Sequence, residues 1–365
     1  MEFAFSDEQE MIRASAEGFL ADVSNSAAVR AAMVSERGFD EALWQRLCQE
    51  MCWPAIQIPE IYGGLGLGFV ELTILLEQMG RRLLCSPFFA TACMATPALL
   101  LVDTMLVGVP LLAALDEQQA TLKQYWLSRV AGGNARLAVC EPGNPLVSDA
   151  HVADLLLLAH GDEVHALERD AVRLTRNESF DPSRQLFQVE WTPTPATCVA
   201  SGEQGRRLWA AAFNRGALAS AAQLLGLAKR MVDLAVDYTF ERKQFGKPVG
   251  SFQAVKHLMA NVAVQIEFAK GPLYRAAYAV AEQQADQDVF VSHAKLATAE
   301  AAMLAAKNTI QAHGAMGYTW EVDLHLFMKR AWALDKVWGD RGHHKERIRA
   351  VLLDSKPALG AGSTF

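Results

Sequence analysis

Residues able to do chemistry gather in two short segments. Tyr238–Gln253 reads YTFERKQFGKPVGSFQ, and Gln311–Thr319 reads QAHGAMGYT. Arg242 is a planar cation that can hold a pyrophosphate through two parallel hydrogen bonds. Gly246, Pro248 and Gly250 interrupt the helix and bring backbone N–H groups toward whatever Arg242 holds. Phe252 and Gln253 open the next helix with an aromatic face and an amide. A plainer reading stays open, in which Arg242 pairs with Glu241 at a helix end and Gln253 is an ordinary N-terminal helix residue. Glu321 and Asp323 follow the Gly317-Tyr318-Thr319 turn as an acidic helix start, with Thr319 as its N-cap. His343 and His344 are adjacent on a charged helix, so they point apart and read as surface residues. The loop Tyr62–Gly68 follows no strand and reads as a helix connection, not a phosphate cradle.

These residues need elements to position them. Residues 1–130 read as helical. Ser6 before Asp7-Glu8-Gln9 is an N-cap with an acidic first turn, and Met11, Ile12, Phe19 and Leu20 give an apolar stripe. Glu41–Met51 reads as a second amphipathic helix, with Cys48 and Cys52 one turn apart in the core. Ile58–Gly66 is too rich in Gly and Pro for a helix. Val70–Leu84 is helical to near Ser86-Pro87, and helices return between Ala90 and Val130, interrupted at Gly108-Val109-Pro110. Residues 133–200 switch to five or six short runs: Ala135–Cys140, Ala153–Ala159, Val164–Leu167, Val172–Leu174 and Leu186–Trp191. Leu208–Ala235, Phe252–Gln283, Ser292–His313 and Asp323–Leu353 are four long apolar-striped helices, the pattern of a bundle. Ser355–Phe365 is a Gly/Ser/Pro-rich tail.

Composition sets the outer limits. The chain has 365 residues, 51% of them hydrophobic and 21% charged, with a net charge of −7. Two or three domains are expected. The negative charge, with no basic run, argues against nucleic acid. The most apolar stretch, Ala98–Ala114, is broken by Asp103, Gly108 and Pro110, so no membrane span is expected. The N-terminus MEFAFSDEQE lacks the features of a signal peptide. The six cysteines show no metal spacing, and a cytoplasmic chain with free thiols follows as the expectation.

The chain resembles the acyl-CoA dehydrogenase family over essentially its whole length. The resemblance rests on FSDEQE, LW…IPEIYGGLGLGFVEL…LLEQMGR, AVCEPG, SFDPSR, ERKQFGKPVGSFQAVKH and QAHGAMGYTWE…KRA, in family order. The last two look like the branch that includes steroid side-chain and aromatic-acid-pathway dehydrogenases, many of them heterotetramers. The resemblance implies a mainly α fold with a small central β domain. Its parts are an N-terminal helical domain at 1–130, a shortened β-barrel-like domain at 131–200, a C-terminal four-helix bundle at 201–354 and a tail at 355–365. It also implies FAD as cofactor, an acyl-CoA substrate and an electron-transfer flavoprotein-like acceptor. The positions that match the family's FAD contacts are Arg242, Gln244, Phe245, Phe252, Gln253, Gln311, Gly314 and Ala315, where Ala315 replaces a family glycine.

The chain also departs from the family. An acyl-CoA dehydrogenase needs a carboxylate base at the substrate α-carbon, walls for the isoalloxazine and anchors for the rest of FAD. The two family base positions fall on Gly339 and Gly216, neither a carboxylate. Asp340, beside Gly339, is the substitute candidate, although an ion pair with Arg341 competes. The flavin-wall strand reads Cys140-Glu141-Pro142-Gly143-Asn144-Pro145, with a thiol where the family has a hydroxyl. The segment that carries the family's Trp-x-Thr looks deleted, and Trp191-Thr192 reads as a strand end. Three readings follow: a base-lacking partner subunit of a heteromeric enzyme, a self-sufficient homo-oligomeric dehydrogenase using Asp340, or a non-enzymatic acyl-CoA- or flavin-binding scaffold.

Overall fold

The computed structural model describes residues 4–102 and 121–354. The expected interruptions at Asp103 and Gly108-Val109-Pro110, and the tail 355–365, lie outside the described residues. Among those described, no helix is long and apolar enough to cross a membrane. The six cysteines are free.

The first helices start where their caps dictate. Ahead of α1 (Asp7–Val23) the Ser6 Oγ accepts from the Gln9 N–H, and the Gln9 amide oxygen accepts from the Ser6 N–H. This reciprocal box satisfies two otherwise orphaned donors. The buried line of α1 runs through Ala16 and Leu20, four apart. Met11 is off that line and 65% exposed, so the expected stripe is narrower. An unexpected helix, α2 (Ser26–Val34), is capped by Asn25, and α3 (Glu41–Gln49) by Asp40. Because α3 stops at Gln49, Cys52 lies beyond it in left-handed backbone and does not share a helical turn with buried Cys48. The Ile58–Gly66 loop holds as expected, with one 3-10 turn, and α4 (Phe69–Arg81) follows. A π-helical stretch, Phe89–Ala95, runs into α5 (Thr96–Leu101), and α6 (Leu122–Ala131) precedes the strands.

Seven strands occupy the middle of the chain. They are β1 (Leu137–Val139), β2 (Leu146–Ser148), β3 (Leu155–His160), β4 (Glu163–Glu168), β5 (Arg173–Asn177), β6 (Leu186–Glu190) and β7 (Cys198–Ala200). Two exceed the expected runs, since β2 and β7 have three residues each and show no alternation long enough to read. One sheet has order β1-β3-β4-β7, with β1 and β3 parallel; the other is antiparallel, β2-β6-β5. The Leu155–Leu158 run of β3 is wholly buried, as a strand covered on both faces must be. The edge of β1 is closed by Thr91 of the π-helical stretch, whose hydroxyl bonds both the N–H and the C=O of Leu137.

The remaining chain is helical: α7 (Gly202–Glu241), α8 (Gln253–Ala281), α9 (Gln287–His313), α10 (Leu324–Lys336) and α11 (Arg341–Arg349). Between α7 and α8 sits a small hairpin, β8 (Lys243–Gln244) and β9 (Lys247–Pro248). The expected helix Asp323–Leu353 is two helices. Buried Lys295 donates to the C=O of Leu334 at 2.6 Å and of Val337 at 2.9 Å, so it neutralises the C-terminus of α10. Trp338 and Gly339 then turn through positive φ, 54° and 86°.

By internal packing the chain forms two compact units. One takes in the described residues up to Leu20, Thr73–Leu83 and Ala217 onward; the other takes in those of Ala21–Leu72 and Leu84–Gly216. In the first, α8 packs along α9, and α10 and α11 also lie on α9. There α4 and α7 touch backbone to backbone at two glycines. A Cβ on Gly226 would lie 2.0 Å from the Glu77 carbonyl oxygen, and one on Gly80 2.3 Å from that of Gln223. Glu77 ties the same helices together, pairing with Lys229 and accepting from the Tyr274 hydroxyl at 2.8 Å.

Candidate functional site

Arg242 leaves the end of α7 and enters the β8–β9 hairpin. Its backbone is spoken for: its N–H bonds Tyr238 O, and its C=O accepts from Val249 N at 2.7 Å. Its side chain is exposed, and no described carboxylate pairs with it, Glu241 included. The hairpin turns on Phe245 and Gly246, with φ of 53° and 77°, flanked by the pairs Gln244↔Lys247 and Lys243↔Pro248. Two central residues with positive φ are what a type I′ turn demands, and Asn or Gly normally fill it. Phenylalanine there is strained, and its ring is 91% exposed. The ring meets Phe252 edge-on at 6.1 Å, while the Lys247 ammonium sits 4.4 Å over Phe252. Gln244 and Gln253 are both exposed, Gln253 as the first residue of α8.

The second segment closes α9. Gln311 is exposed in the last turn, and its C=O accepts from the Gly314 N–H. Gly314 adopts φ 62° and ψ −141°, a region open in practice to glycine alone. Nothing lies within 4 Å of where its Cβ would be, so the backbone there is open to approach. Ala315 follows, exposed, in a 3-10 turn. Two residues outside the expected set bring the segments together. Tyr238 stacks on His313, ring centroids 4.2 Å apart at 15°, and its hydroxyl donates to the His313 carbonyl. Burial pushes the His313 imidazole below its ordinary pKa, so it stays neutral in the stack. Both lie inside the motifs, but only their contact reveals their task. Around them the same unit exposes Phe240, Phe268, Tyr318 and Trp320.

The comparisons with known proteins agree on what this frame is. Family models described as the acyl-CoA dehydrogenase N-terminal and C-terminal domains match residues 6–134 and 203–353. The acyl-CoA dehydrogenase IpdE2 of Mycobacterium tuberculosis is 34% identical over 326 residues, covering 89% of this chain and 91% of that protein.

The chain belongs to the acyl-CoA dehydrogenase family.

Solved structures carry the same fold. The ChsE4-ChsE5 complex from M. tuberculosis superposes with a TM-score of 0.79 at 20% identity, over 97% of this chain and 99% of that one. Butyryl-CoA dehydrogenase from Megasphaera elsdenii does so with 0.81 at 18%, over 97% and 100%. A variant of the Tcur3481-Tcur3483 steroid ACAD gives 0.80 at 22%, over 96% and 99%.

The two positions expected to carry the family base hold no side chain. Gly216 is buried inside α7, and Gly339 forms the turn between α10 and α11. Asp340 is exposed and caps α11, accepting from His343 N at 2.9 Å. That bond holds its carboxyl below the usual carboxylate range, the reverse of what a tuned base needs. The expected Asp340–Arg341 pair is replaced by one between Arg341 and Asp335, 2.9 Å apart. His344 is not a surface residue. It is fully buried, bonded to Ser292 Oγ and to the Trp338 carbonyl, while His343 is exposed. Thr319 is not an N-cap either, since its hydroxyl donates back to Met316 O and α10 begins after Asp323.

The strand expected to form the flavin wall is equally occupied. Cys140 is buried, its sulfur accepts from Ala159 N at 3.0 Å, and burial pushes its pKa up to about 12. After Asn144 the chain enters β2 directly. The Trp191 ring is taken up by His165, 5.0 Å away. One further group stands out beside Gly216. Arg215 is largely buried, reaches Gln57 Oε1 at 3.3 Å and lies over the Phe69 ring. No described carboxylate pairs with it, and burial pulls its pKa down to about 10.

Proposed function

We propose that this chain is an FAD-linked acyl-CoA dehydrogenase subunit for α,β-desaturation of an acyl-CoA thioester, working as the base-lacking half of a heteromeric enzyme. The observation that carries this reading is the sorting of what is kept and what is lost. The anchor groups are kept, exposed and poised: Arg242 with no described carboxylate partner, outward Phe245, and Gly314 with open space where a side chain would stand. The groups that act on a flavin ring and an α-proton are lost, with Gly216 and Gly339 in the base positions and Cys140 bonded to Ala159.

These residues fit FAD. Arg242 would take a pyrophosphate oxygen pair, Phe245 would stack on a flat ring, Gln253 and Gln311 would supply side-chain amide contacts, and Gly314 would allow close backbone approach, with Gln244, Phe252 and Ala315 lining the same segments. Bound FAD supplies a hydride acceptor for the substrate β-carbon. The α-proton needs a carboxylate, which neither Gly216 nor Gly339 can supply, so on this reading it falls to the other subunit. The exposed aromatics Phe240, Phe268 and Trp320 suit a protein interface. Support also comes from structural neighbours that pair two different chains, ChsE4-ChsE5 and Tcur3481-Tcur3483. An electron-transfer flavoprotein-like acceptor would reoxidise the cofactor. The self-sufficient reading has only Asp340, which the α11 cap already engages.

The test is to purify the chain alone and together with an acyl-CoA dehydrogenase-like partner. The chain alone is expected to be colourless and inactive, the pair yellow and active. In the pair, Arg242→Ala is expected to lower FAD occupancy while assembly persists. A yellow, active protein from this chain alone would overturn the proposal.

A further inference from the structure

The β3–β4 hairpin carries a cluster that the flavin chemistry does not use. The strands meet at the Gly161-Asp162 turn, which pairs His160 directly with Glu163. Side chains two apart on a strand share a face, so Glu163 and His165 point the same way, and His160 stands opposite on that face. His160 Nδ1 and His165 Nε2 both lie 3.2 Å from one oxygen, Glu163 Oε2. All three donor atoms lie within 4.8 Å of one another. His165 is buried, and His160 and Glu163 open the cluster to solvent on one side.

The hydrogen bonds behind His165 decide which of its nitrogens is free. Its Nδ1 lies 2.9 Å from Thr197 Oγ1. Thr197 Oγ1 donates to the Thr194 carbonyl, 3.0 Å away, accepts from Thr194 N, and lies 3.2 Å from Thr194 Oγ1. With its proton on the Thr194 carbonyl, Thr197 Oγ1 accepts from His165, an arrangement that places the hydrogen on Nδ1. In the neutral ring that leaves Nε2 as a lone pair, facing a carboxylate oxygen at 3.2 Å. Two electron-rich atoms at that distance call for a cation between them, either a proton on Nε2 or a metal ion.

We infer that His160, Glu163 and His165 form a divalent transition-metal site, with Zn²⁺ as its natural probe. Two imidazole nitrogens and a carboxylate are a donor set that zinc takes, and the solvent side leaves a fourth position for water. Tetrahedral ligands at about 2.0 Å from zinc lie about 3.3 Å from each other, close to the 3.2 Å from each histidine nitrogen to Glu163 Oε2. The Nδ1–H bond to Thr197 is the outer-shell support that fixes a ligating histidine's tautomer and ring plane. A metal here cross-links β3 to β4. The Glu163 carbonyl also accepts from Trp209 Nε1 at 3.2 Å, so the same hairpin is tied to the start of α7. The role is structural and independent of the flavin reading.

The experiment uses the full chain stripped with a chelator and titrated with Zn²⁺ by calorimetry, with the thermal midpoint followed in parallel. Stoichiometric binding and a raised midpoint are expected. Binding should weaken at least tenfold in His160→Ala and in Glu163→Gln, two changes at open positions that spare the core. Thr197→Val should cost about 10–100-fold, and Thr197→Ser should restore binding, which a merely structural threonine would not do. Absence of Zn²⁺ binding would mean that the cation is only a proton on Nε2 and would overturn the inference. Binding unchanged in both His160→Ala and Glu163→Gln would place the metal elsewhere and overturn it equally.

Discussion

Asp340 shows how a single carboxylate can look catalytic and act as a cap. It accepts the His343 N–H at the start of α11, and that bond lowers its pKa. Asn caps a helix about as well as Asp, while Ala does not. Asp340→Ala should therefore cost about 1 kcal/mol in urea unfolding and Asp340→Asn close to nothing. If the carboxylate is only a cap, Asp340→Asn leaves turnover of the assembled enzyme intact; a collapse in turnover would make it the base. Arg215 is the opposite case, a buried cation with an amide for company and no described carboxylate. A charge held mostly out of water with no carboxylate beside it opposes folding, so Arg215→Met should raise the thermal midpoint. An unchanged or lowered midpoint would show that the charge is already compensated. Residues that oppose stability in this way persist where a ligand needs them.

Among the elements, the β8–β9 hairpin and the α10–α11 break each hold a testable strain or charge. Phe245 sits in left-handed backbone at the first turn position. Asn suits that position, so Phe245→Asn should stabilise the hairpin by about 1 kcal/mol and weaken FAD retention in the complex. Thermal midpoint and flavin content read the two effects separately. At the break, His344 is buried beside Lys295, and burial first, then that charge, push its pKa from 6.5 to about 4. The unfolded chain then binds a proton at a pH where the folded chain does not. Stability is full above about pH 6.5 and falls as pH drops toward 4, by about 3 kcal/mol at most. A midpoint measured from pH 7 down to 4.5 should show this slope, and His344→Gln should flatten it.

On the scale of the whole molecule, the fold was largely legible. The Ser6 cap, the buried run of β3 and the long helices α7, α8 and α9 all follow from local pattern, and the motif order identified the family. Legibility failed where contacts between distant residues overrule local pattern. The segment Asp323–Leu353 reads as one helix, yet it breaks at Trp338-Gly339, where Lys295, on another helix, takes the carbonyls of Leu334 and Val337. Strands β2 and β7 exist only because β6 and β4 offer them partners.

The sequence by itself determined the proposed anchors and gaps. Arg242, Phe245 and Gly314 lie in turns whose conformation depends on a few neighbouring residues, and no packing can supply a carboxylate at Gly216 or Gly339. Only the tertiary structure decided what those residues face. It joined the two anchor segments through Tyr238 and His313, 75 residues apart, and committed Asp340 to a cap. It also aimed His165 at Glu163 through Thr197. Each depends on side chains brought within a few ångströms by folding, and local periodicity carries no record of such meetings.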